Sequence, residues 1–463
     1  MNTALFQEFF QGKKVAILGF AREGQSTFKA IRKVLPEFPL VVCDKNQLAA
    51  DNFPERENNI QTQWFLGENY LTGIHGADLI IKTPGIPFQV IESEELRSKV
   101  ISQTEIFLKL FGKQVVGVTG TKGKSTTTSL LYHILKMAGR SSVLAGNIGT
   151  PPFDLIDQIA EDTIVAYEMS SHQLEHIRVS PHIAIFLNIF QDHLDHYPSY
   201  RHYQLAKLNI ARWQDPDDVI IFNPFNKIIS GLVSEFEIKS QRWLLGNAGE
   251  SDRRVFCDKG SLVLSIPGKE SRIRDVCRVR KLPGDHNLLN IAAASTAAYL
   301  LGVAPLQITR AVASFSGLPH RLEFVGLSRG ISFYNDSIST TPESTIEALK
   351  TFPNTTSLLL GGFDRGIDYS ELLAFLVESR VKNLVFIGAA GKRMFEEGKT
   401  IPGLMEKNCL LPDSFEQGFE MAVKYTPAAG ICLLSPAAAS YDSFKNFEHR
   451  GNTFKELVRK LGG

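Results

Sequence analysis

The stretch VVGVTGTKGKSTT (115–127) decides the fold of this chain. Residues 115–118 are mostly apolar and predict a short buried strand, and the glycine-rich turn behind them predicts a loop that opens a helix. Apolar residues recur at helical spacing through residues 130–138, and Gly139 is placed to end that helix. Strand, glycine loop and helix in this order predict a nucleotide-binding domain with a parallel sheet.

The loop itself carries the chemistry of phosphate binding. Glycines let backbone N–H groups approach phosphate oxygens, and the start of a helix adds positive potential. Lys124 can reach the β and γ phosphates, and the Ser125 hydroxyl suits Mg²⁺. The strict GxxxxGK[ST] pattern is not met, because its first glycine position falls on Val118, but the shorter GTKGKS form is present. The loop predicts ATP or GTP binding without specifying a reaction.

Working outward, short apolar runs alternate with polar turns and helical segments along the chain. This alternation predicts an α/β protein with buried parallel strands. The 463 residues suggest three domains at about 150 residues each. We expect a Rossmann-like domain with a glycine loop over 1–105, a P-loop domain over 106–317, a third Rossmann-like domain over 318–463, and antiparallel hairpins within 240–282. The predicted strands are residues 14–18, 40–43, 79–81, 115–118, 164–167, 183–187, 219–222, 358–360, 384–387 and 431–434.

Composition narrows the function. Lys and Arg number 50 and Asp and Glu number 49, so the basic excess of a nucleic-acid binder is missing. No apolar run is long enough to span a bilayer. The five cysteines show no metal-binding spacing, and the first twenty residues do not resemble a signal peptide. We expect a monomeric cytoplasmic enzyme that acts on small molecules.

A second glycine loop follows the first predicted strand. Gly19 and Gly24 bracket a turn, and Asp44 ends the next strand twenty residues later, as in a dinucleotide-binding fingerprint. The loop is either a nucleotide or sugar-nucleotide site, with Asp44 on the base or ribose, or an ordinary βα turn. The TPGIP turn (83–87) can line the same crevice. A nicotinamide dehydrogenase built on this loop would leave GTKGKST (120–126) unexplained.

Candidate metal ligands follow two further strands. Glu168 ends the run IVAYE (164–168) and could hold Mg²⁺, or it could be a solvated or capping carboxylate. NIFQDHLDH (188–196) could be a transition-metal site or a polar loop with a capping aspartate. Lys207 lies on a helical segment, and its spacing alone predicts a solvated side chain.

These motifs, in this order, resemble the Mur ligase family, and most closely its glutamate-adding members. The matching stretches are GTKGKST (120–126), AGNIGTP (145–151), EMSSHQLE (168–175), NIFQDHLDHYPS (188–199), AKL (206–208), GDHNLLN (284–290), LPHR (318–321), NDS (335–337) and LSPAAASYDSFKNFEHRG (434–451). The resemblance implies an ATP-dependent amide-bond ligase of peptidoglycan synthesis. It would add glutamate to UDP-N-acetylmuramoyl-L-alanine through an acyl phosphate, with ATP and two Mg²⁺ ions.

The resemblance also implies residue roles. Lys124, His193 and Lys207 would be catalytic, with Lys207 carbamylated into a carboxylate-like group. Metal ligands would be Ser125, Glu168, His193 and modified Lys207. The ATP site would comprise Gly120, Thr121, Lys122, Gly123, Lys124, Ser125, Thr126, Asn290 (near adenine), Arg321 and Asp336. The UDP-substrate site would comprise Gly19, Asp44, Gly85, Asn147, Ser170 and Gln173. The glutamate pocket would comprise Ile338, Arg365, Ser440 and Phe447.

The glutamate pocket departs from the family pattern at two positions. Lysines that the family commonly carries there are Ile338 and Arg365 in this chain. Arginine can bind a carboxylate as a fork, whereas isoleucine cannot donate a hydrogen bond. The resemblance favours D-glutamate as the amino acid, because it is the commoner substrate in the family, and two alternatives stay open. One is the variant ligase that adds L-glutamate, and the other is a non-catalytic P-loop regulator.

Overall fold

The computed structural model describes residues 2–49, 51, 53, 61–191, 196–247 and 253–462. It divides into two compact units. One comprises Met1–Arg280 with His286–Ser314, and the other comprises Lys281–Asp285 with Phe315–Gly463. Within the described residues three sheets are present, and each lies inside one of the three predicted domains. The domain boundaries themselves stay a prediction.

The first sheet has five parallel strands in the order β3-β2-β1-β4-β5. All four residues of β1 are buried, which is why its sequence is a continuous apolar run rather than an alternating one. The turns after β1, β2 and β4 therefore meet at one edge of the sheet. The elements are α1 Asn2–Phe10, β1 Val15–Leu18, α2 Arg22–Val34, β2 Leu40–Asp44, β3 Thr62–Leu66, β4 Leu79–Lys82, α3 Glu94–Ser98, β5 Val100–Ile101 and α4 Gln103–Phe111.

The second sheet has nine strands in the order β14-β13-β12-β11-β10-β9-β6-β8-β7. The strand before the phosphate loop, β6, lies between β8 and β9 and is parallel to both. The loop therefore shares its sheet edge with the residues that follow those two strands. The elements are β6 Val115–Thr119, α5 Lys124–Met137, β7 Ser142–Gly146, β8 Ile164–Glu168, α6 Ser171–Leu174, β9 Ile183–Phe186, α7 Tyr200–Arg212, β10 Val219–Phe222, α8 Lys227–Glu235, β11 Gln241–Leu245, β12 Arg253–Asp258, β13 Ser261–Ile266, β14 Lys269–Ile273, α9 His286–Leu300 and α10 Pro305–Ser314.

The predicted hairpins within 240–282 are confirmed for β12, β13 and β14, which pair antiparallel. Their fold brings Cys257 and Cys277 into a disulfide with a Cα–Cα distance of 6.5 Å. Sequence spacing did not predict this pair, because the two cysteines are 20 residues apart and meet only when the strands pair.

The first two sheets belong to one compact unit because an apolar core joins them. The ring of Phe6 in α1 packs edge-on against Phe153 at a centroid distance of 4.9 Å. Phe107 in α4 packs in the same way against Tyr167 in β8 at 5.9 Å. These contacts bury aromatic surface from both sheets in one continuous cluster.

The other unit holds a six-stranded sheet in the order β15-β16-β20-β17-β18-β19. Only the pair β15–β16 is antiparallel, so the turns after β16, β17 and β20 gather at one edge. All ten predicted strands of the chain are confirmed within one to three residues at each end. The elements here are β15 Glu323–Ser328, β16 Ile331–Asn335, α11 Pro342–Thr351, β17 Thr355–Gly361, α12 Ser370–Glu378, β18 Asn383–Ile387, α13 Gly388–Gly398, β19 Asn408–Leu410, α14 Phe415–Tyr425, β20 Ile431–Leu434 and α15 Phe447–Leu461.

Candidate active site

The phosphate loop is held in shape by Asn188, two residues after the end of β9. The Asn188 side chain accepts from the backbone N–H of Lys122 at 2.9 Å and donates to the Lys122 carbonyl at 3.0 Å. Its backbone carbonyl accepts from the N–H of Thr121 at 3.0 Å. Asn188 therefore positions the loop, a role that its place at the start of NIFQDHLDH (188–196) did not reveal.

Gly123 shows why this loop needs glycine. Its φ is +86°, and a Cβ there would lie 2.5 Å from the side-chain oxygen of Asn290 in α9. The same oxygen accepts from the Thr127 hydroxyl at 3.2 Å. Asn290, predicted near adenine, thus lies directly against the phosphate loop and the start of α5.

Lys124 and Lys207 converge on this loop from different helices. Lys124 Nζ donates to the Gly120 carbonyl at 2.9 Å and to the Thr121 carbonyl at 3.1 Å. Lys207 Nζ, from α7, donates to the same Gly120 carbonyl at 2.9 Å. Two cationic side chains that share one acceptor form a concentrated positive site at the mouth of the loop.

Lys207 is buried, with 2% of its surface exposed, so the interpretation of a solvated lysine is wrong. Its ammonium lies 5.0 Å from the centre of the Tyr203 ring. The Tyr203 hydroxyl in turn shares a hydrogen bond with the Thr121 hydroxyl at 3.0 Å. The sequence could not show this burial, because it depends on α7 packing against the loop that follows β6.

Glu168 ends β8, the strand that pairs with β6, and only 1% of its surface is exposed. Its Oε1 lies 3.5 Å from the amide nitrogen of Asn147, and its Oε2 has no hydrogen-bond partner among the residues that the structure describes. A buried carboxylate oxygen of this kind is costly unless a cation or donor occupies the space beside it. The orphaned oxygen fits a divalent cation with oxygen ligands, such as Mg²⁺.

The predicted ligand set can be placed only in part. Ser125 lies in the first turn of α5, half-buried, and Thr126 behind it is buried. His193 lies outside the described residues. Within those residues no group of three His, Cys, Asp or Glu side chains forms a metal site. The set with His193 therefore stays a prediction, as does the position of a second Mg²⁺.

A cavity of about 690 Å³ lies between the first glycine loop and the residues that follow β7 and β8, all within one compact unit. We call it the loop cavity. Its predicted lining residues are Gly19, Asp44, Gly85, Asn147 and Gln173. Ser170 is not among them, because its hydroxyl caps α6 by accepting from the Gln173 N–H at 3.2 Å. The Ser170 side chain therefore stabilises the start of α6 and does not line the loop cavity.

Asp44 and Asn147 define the two ends of the loop cavity. The Asp44 carboxylate accepts from the backbone N–H groups of Phe20 and Asn46 at 2.6 and 2.8 Å, which fixes the turn after β1. Asn147 lines the cavity and also reaches Glu168, as described above. Asn147 therefore links the wall of the loop cavity to Glu168, at the end of the strand that pairs with β6.

In the other unit, Asp336 follows β16 and is fully buried. Its Oδ1 accepts from the Leu322 N–H at 3.1 Å, and its Oδ2 accepts from the Ser435 hydroxyl at 2.8 Å. Burial raises the pKa of Asp336 to about 6, although these hydrogen bonds and the charge of Arg321 act in the opposite direction. Arg321 Nε is buried and has no hydrogen-bond partner in the described chain.

The raised pKa of Asp336 predicts a measurable effect on stability. Because the folded-state pKa lies above the ordinary value of 3.8, this carboxyl stabilises the fold below about pH 4, and that contribution is lost as the pH rises through about 6. The loss is about 3 kcal/mol. Asp336→Asn removes it, and the Ser435 hydroxyl can rotate to accept from the new amide while donating to Thr345. The variant should therefore gain stability relative to the parent as the pH rises.

Thermal unfolding midpoints at about pH 5 and about pH 7.5 measure this effect. The difference between Asp336→Asn and the parent should shift in favour of the variant at the higher pH. Asp413→Asn, at an exposed position, is the matched control and should show no such shift. An equal difference at both pH values for Asp336→Asn would contradict the prediction.

The four residues of the predicted glutamate pocket lie after the strands of the third sheet. Arg365 donates to the Thr340 carbonyl at 3.0 Å, and Ile338 donates its N–H to the His320 carbonyl at 3.1 Å. Ser440 is buried, and Phe447 begins α15. Arg365 thus contacts the turn after β16 that contains Ile338, and of these two residues only Arg365 has a side chain that can bind a carboxylate.

Arg450 organises this region, and the sequence analysis missed it. The guanidinium is 2% exposed and donates to the Ser337 hydroxyl, at 3.0 Å, and to its carbonyl, at 2.9 Å. It also donates to the carbonyls of Gly361, Ala438 and Ala439. One side chain therefore ties together the turns after β16, β17 and β20. Burial lowers the pKa of Arg450 to about 10.

One comparison with known proteins matches the part of the chain that contains the second sheet. Residues 118–298 match the family described as Mur ligase middle domain. Over its full length the chain is 35% identical to the full-length UDP-N-acetylmuramoylalanine–D-glutamate ligase of Ruminiclostridium cellulolyticum. No helix in the part of the chain that the structure describes has the length and apolar character needed to cross a membrane.

Two solved structures share the fold at low identity. A MurF from Acinetobacter baumannii superposes with a TM-score of 0.60 at 18% identity, covering 91% of this chain and 90% of that one. A MurF ligase from Thermotoga maritima in complex with ADP has a TM-score of 0.52 at 20% identity, covering 85% and 91%. Both likenesses concern the α/β architecture with its three sheets.

Proposed function

The chain belongs to the Mur ligase family, and on that premise we propose that it joins D-glutamate to UDP-N-acetylmuramoyl-L-alanine with ATP, in peptidoglycan synthesis. It is an ATP-dependent acid–amino-acid ligase. The observation that carries the proposal is that Asn147, which lines the loop cavity, also contacts the buried Glu168 at the end of β8, the strand that pairs with β6 before the phosphate loop. A sugar nucleotide in the cavity and ATP on the loop would present their reacting groups to the same buried carboxylate.

ATP binding follows from the phosphate loop. Backbone N–H groups at the start of α5 face the phosphates, and Lys124 turns from the carbonyls of its own loop to the β and γ phosphates. Asn188 keeps the loop open for this contact. A Mur ligase relative binds ADP, and this chain uses ATP by the same fold.

Mg²⁺ fits the residues beside the loop. Glu168 Oε2 and the Ser125 hydroxyl are hard oxygen ligands, and carbamylated Lys207 and His193 would complete a two-ion site. Bound Mg²⁺ supplies positive charge that offsets the repulsion between the triphosphate and the substrate carboxylate. Lys124 supplies part of the same neutralisation.

The reaction proceeds in two displacements. The terminal carboxylate of the nucleotide substrate attacks the γ phosphorus of ATP, the bond to the β-phosphate oxygen breaks, and ADP leaves. The amine of glutamate then attacks the acyl phosphate, and inorganic phosphate leaves as the amide forms. Asn147 and Gln173 orient the acyl end, because both line the cavity where it nears Glu168.

D-Glutamate is favoured over L-glutamate, because the full-length relative is named for the D isomer. A non-catalytic regulator is not favoured, since the lysines and the carboxylate of a working site converge on one loop. The proposal includes roles in ATP binding for Arg321 and Asp336, and roles in glutamate binding for Ile338, Arg365, Ser440 and Phe447. We further propose the three domains at 1–105, 106–317 and 318–463, a monomer, and a cytoplasmic location.

Phosphate release tests the proposed function. The chain should release phosphate only when ATP, Mg²⁺, UDP-N-acetylmuramoyl-L-alanine and D-glutamate are all present. Each substrate is omitted in turn as the control, and L-glutamate replaces D-glutamate in a parallel reaction. Release without glutamate dependence would favour the regulator or an ATPase, and preference for L-glutamate would favour the variant ligase.

Ile338→Lys tests the departure from the family pattern. An added ammonium at this turn should bind a glutamate carboxylate and lower the KM for glutamate about tenfold, an effect of about 1.4 kcal/mol. Ile338→Met, which keeps the length without the charge, is the control. An unchanged KM for both glutamate isomers would separate Ile338 from the glutamate pocket.

A further inference from the structure

Glu23 lines the loop cavity from the first turn of α2, and its two carboxyl oxygens have different surroundings. Oε1 accepts a hydrogen bond from Gln173 Nε2 at 2.6 Å. Oε2 is shielded from solvent and accepts no hydrogen bond from any described residue. A bare buried oxygen is costly on an ionised carboxylate, whereas a neutral acid has a proton there to donate.

The orientation of Gln173 decides which oxygen carries the proton. Gln173 Oε1 accepts from the backbone N–H of Ser170 at 2.9 Å in the capping box of α6. Its Nε2 must therefore face Glu23 as a donor, and Glu23 Oε1 must accept. A proton on Glu23 can therefore bind only to Oε2, the oxygen that has no hydrogen-bond partner among the described residues.

Burial and the neighbouring charges shift the pKa of Glu23 in opposite directions. Burial raises the pKa of Glu23 to about 7, and the hydrogen bond from Gln173 and the charges of Lys82 and Arg22 act against that rise. The Lys82 ammonium donates to the carbonyls of Thr83 and Ile86. The ionisable groups that face Glu23 or line the same cavity are Arg22, Asp44, Lys45, Lys82 and Tyr167.

We propose that Glu23 is a specificity-determining residue for the nucleotide substrate, which it binds as the neutral acid. Binding of the anionic sugar nucleotide in the loop cavity takes up one proton from solvent, which forms the Oε2–H bond. The proton lies on this shielded oxygen, so it neutralises the carboxyl without a contact between Oε2 and the ligand. This inference rests on the proposed function, because it places UDP-N-acetylmuramoyl-L-alanine in the cavity.

The physical reason is repulsion. The diphosphate of the ligand brings negative charge into a cavity that already holds the Glu23 carboxyl, and like charges in a partly buried site disfavour ionisation. Protonation of Glu23 removes this repulsion. By linkage, a ligand that prefers the protonated form binds more weakly as the pH rises above the pKa of the free protein.

Calorimetric titration with UDP-N-acetylmuramoyl-L-alanine, without ATP, measures the proton directly. The observed heat is compared in buffers of different ionisation enthalpy. The parent protein should take up about 0.9 proton per ligand at about pH 8 and about 0.1 at about pH 6, with affinity falling about tenfold across that range. Glu23→Gln keeps the Oε1 acceptor and places an N–H₂ where the hydroxyl was. It should take up no proton at this site and bind with an affinity that does not change with pH.

Glu94→Gln, at an exposed position in the same sheet region, is the matched control and should behave like the parent. The inference is overturned if the parent takes up no proton at about pH 8, or if Glu23→Gln takes up as many as the parent. It is also overturned if Glu23→Gln loses affinity equally at every pH, which would mark a purely structural role. Absence of binding by the parent at any pH would instead overturn the proposed function together with this inference.

Discussion

Replacing Lys124 with methionine is expected to lower kcat by a factor of about 10³. The variant keeps the apolar stem and the helix start but removes the ammonium that now donates to the carbonyls of Gly120 and Thr121. Charge on the γ phosphate is transferred to the leaving ADP during the first displacement, and in the proposed site Lys124 is the cation that binds these phosphates. Its loss should therefore affect the chemical step more than the affinity for the sugar nucleotide.

Initial rates of phosphate release at saturating substrates measure this loss. The KM for UDP-N-acetylmuramoyl-L-alanine should change less than threefold, because the loop cavity does not include Lys124. Lys136→Met removes an exposed lysine from the last turn of the same helix and should retain full activity. Turnover by Lys124→Met within twofold of the parent would remove Lys124 from the phosphate site.

Replacing Lys207 with alanine is the second large expected effect, a loss of about 10²-fold or more in kcat. Lys207 is buried against the phosphate loop, where a carbamate would supply two oxygen ligands for Mg²⁺. The alanine variant leaves a space that a short carboxylate can enter. Acetate or formate should therefore restore part of the activity in proportion to its concentration.

The rescue distinguishes a carbamate from an ammonium. If Lys207 acts as an ammonium, through its charge alone, carboxylates should not rescue the alanine variant. Small amines should rescue it instead. Lys239→Ala removes an exposed lysine from the same unit and should respond to neither additive. Full activity of Lys207→Ala in the absence of any additive would contradict the assignment altogether.

The parts of this structure that sequence could predict are those set by local patterns. β1, β6 and β9 are continuous buried runs, and the phosphate loop has glycines at fixed offsets from Lys124, so each can be recognised without knowing the rest of the fold. The sequence patterns did not predict several strands at the edges of the sheets. β3 (Thr62–Leu66) and β15 (Glu323–Ser328) are only partly buried, and their mixed patterns do not stand out from loops.

The site residues that sequence missed depend on contacts between distant segments. Arg450 bonds to Ser337 across 113 positions, and Glu23 bonds to Gln173 across 150. No spacing rule links such pairs. Lys207 is an intermediate case. Its catalytic role was predicted from the family resemblance, whereas its helical spacing predicted a solvated side chain. Lys207 is buried against the loop after β6, and this contact between distant segments could not be predicted from helical spacing.

The central claim is that the cavity and the phosphate loop bring a carboxylate and ATP together so that the acid is phosphorylated. Transfer of ¹⁸O tests it most directly. UDP-N-acetylmuramoyl-L-alanine labelled with ¹⁸O in its terminal carboxylate is turned over with ATP and D-glutamate, and the released phosphate is analysed by mass spectrometry. Our account predicts one ¹⁸O atom in each phosphate, because the carboxylate oxygen that attacks the γ phosphorus leaves with it. Phosphate that contains no label while the amide product forms would contradict it.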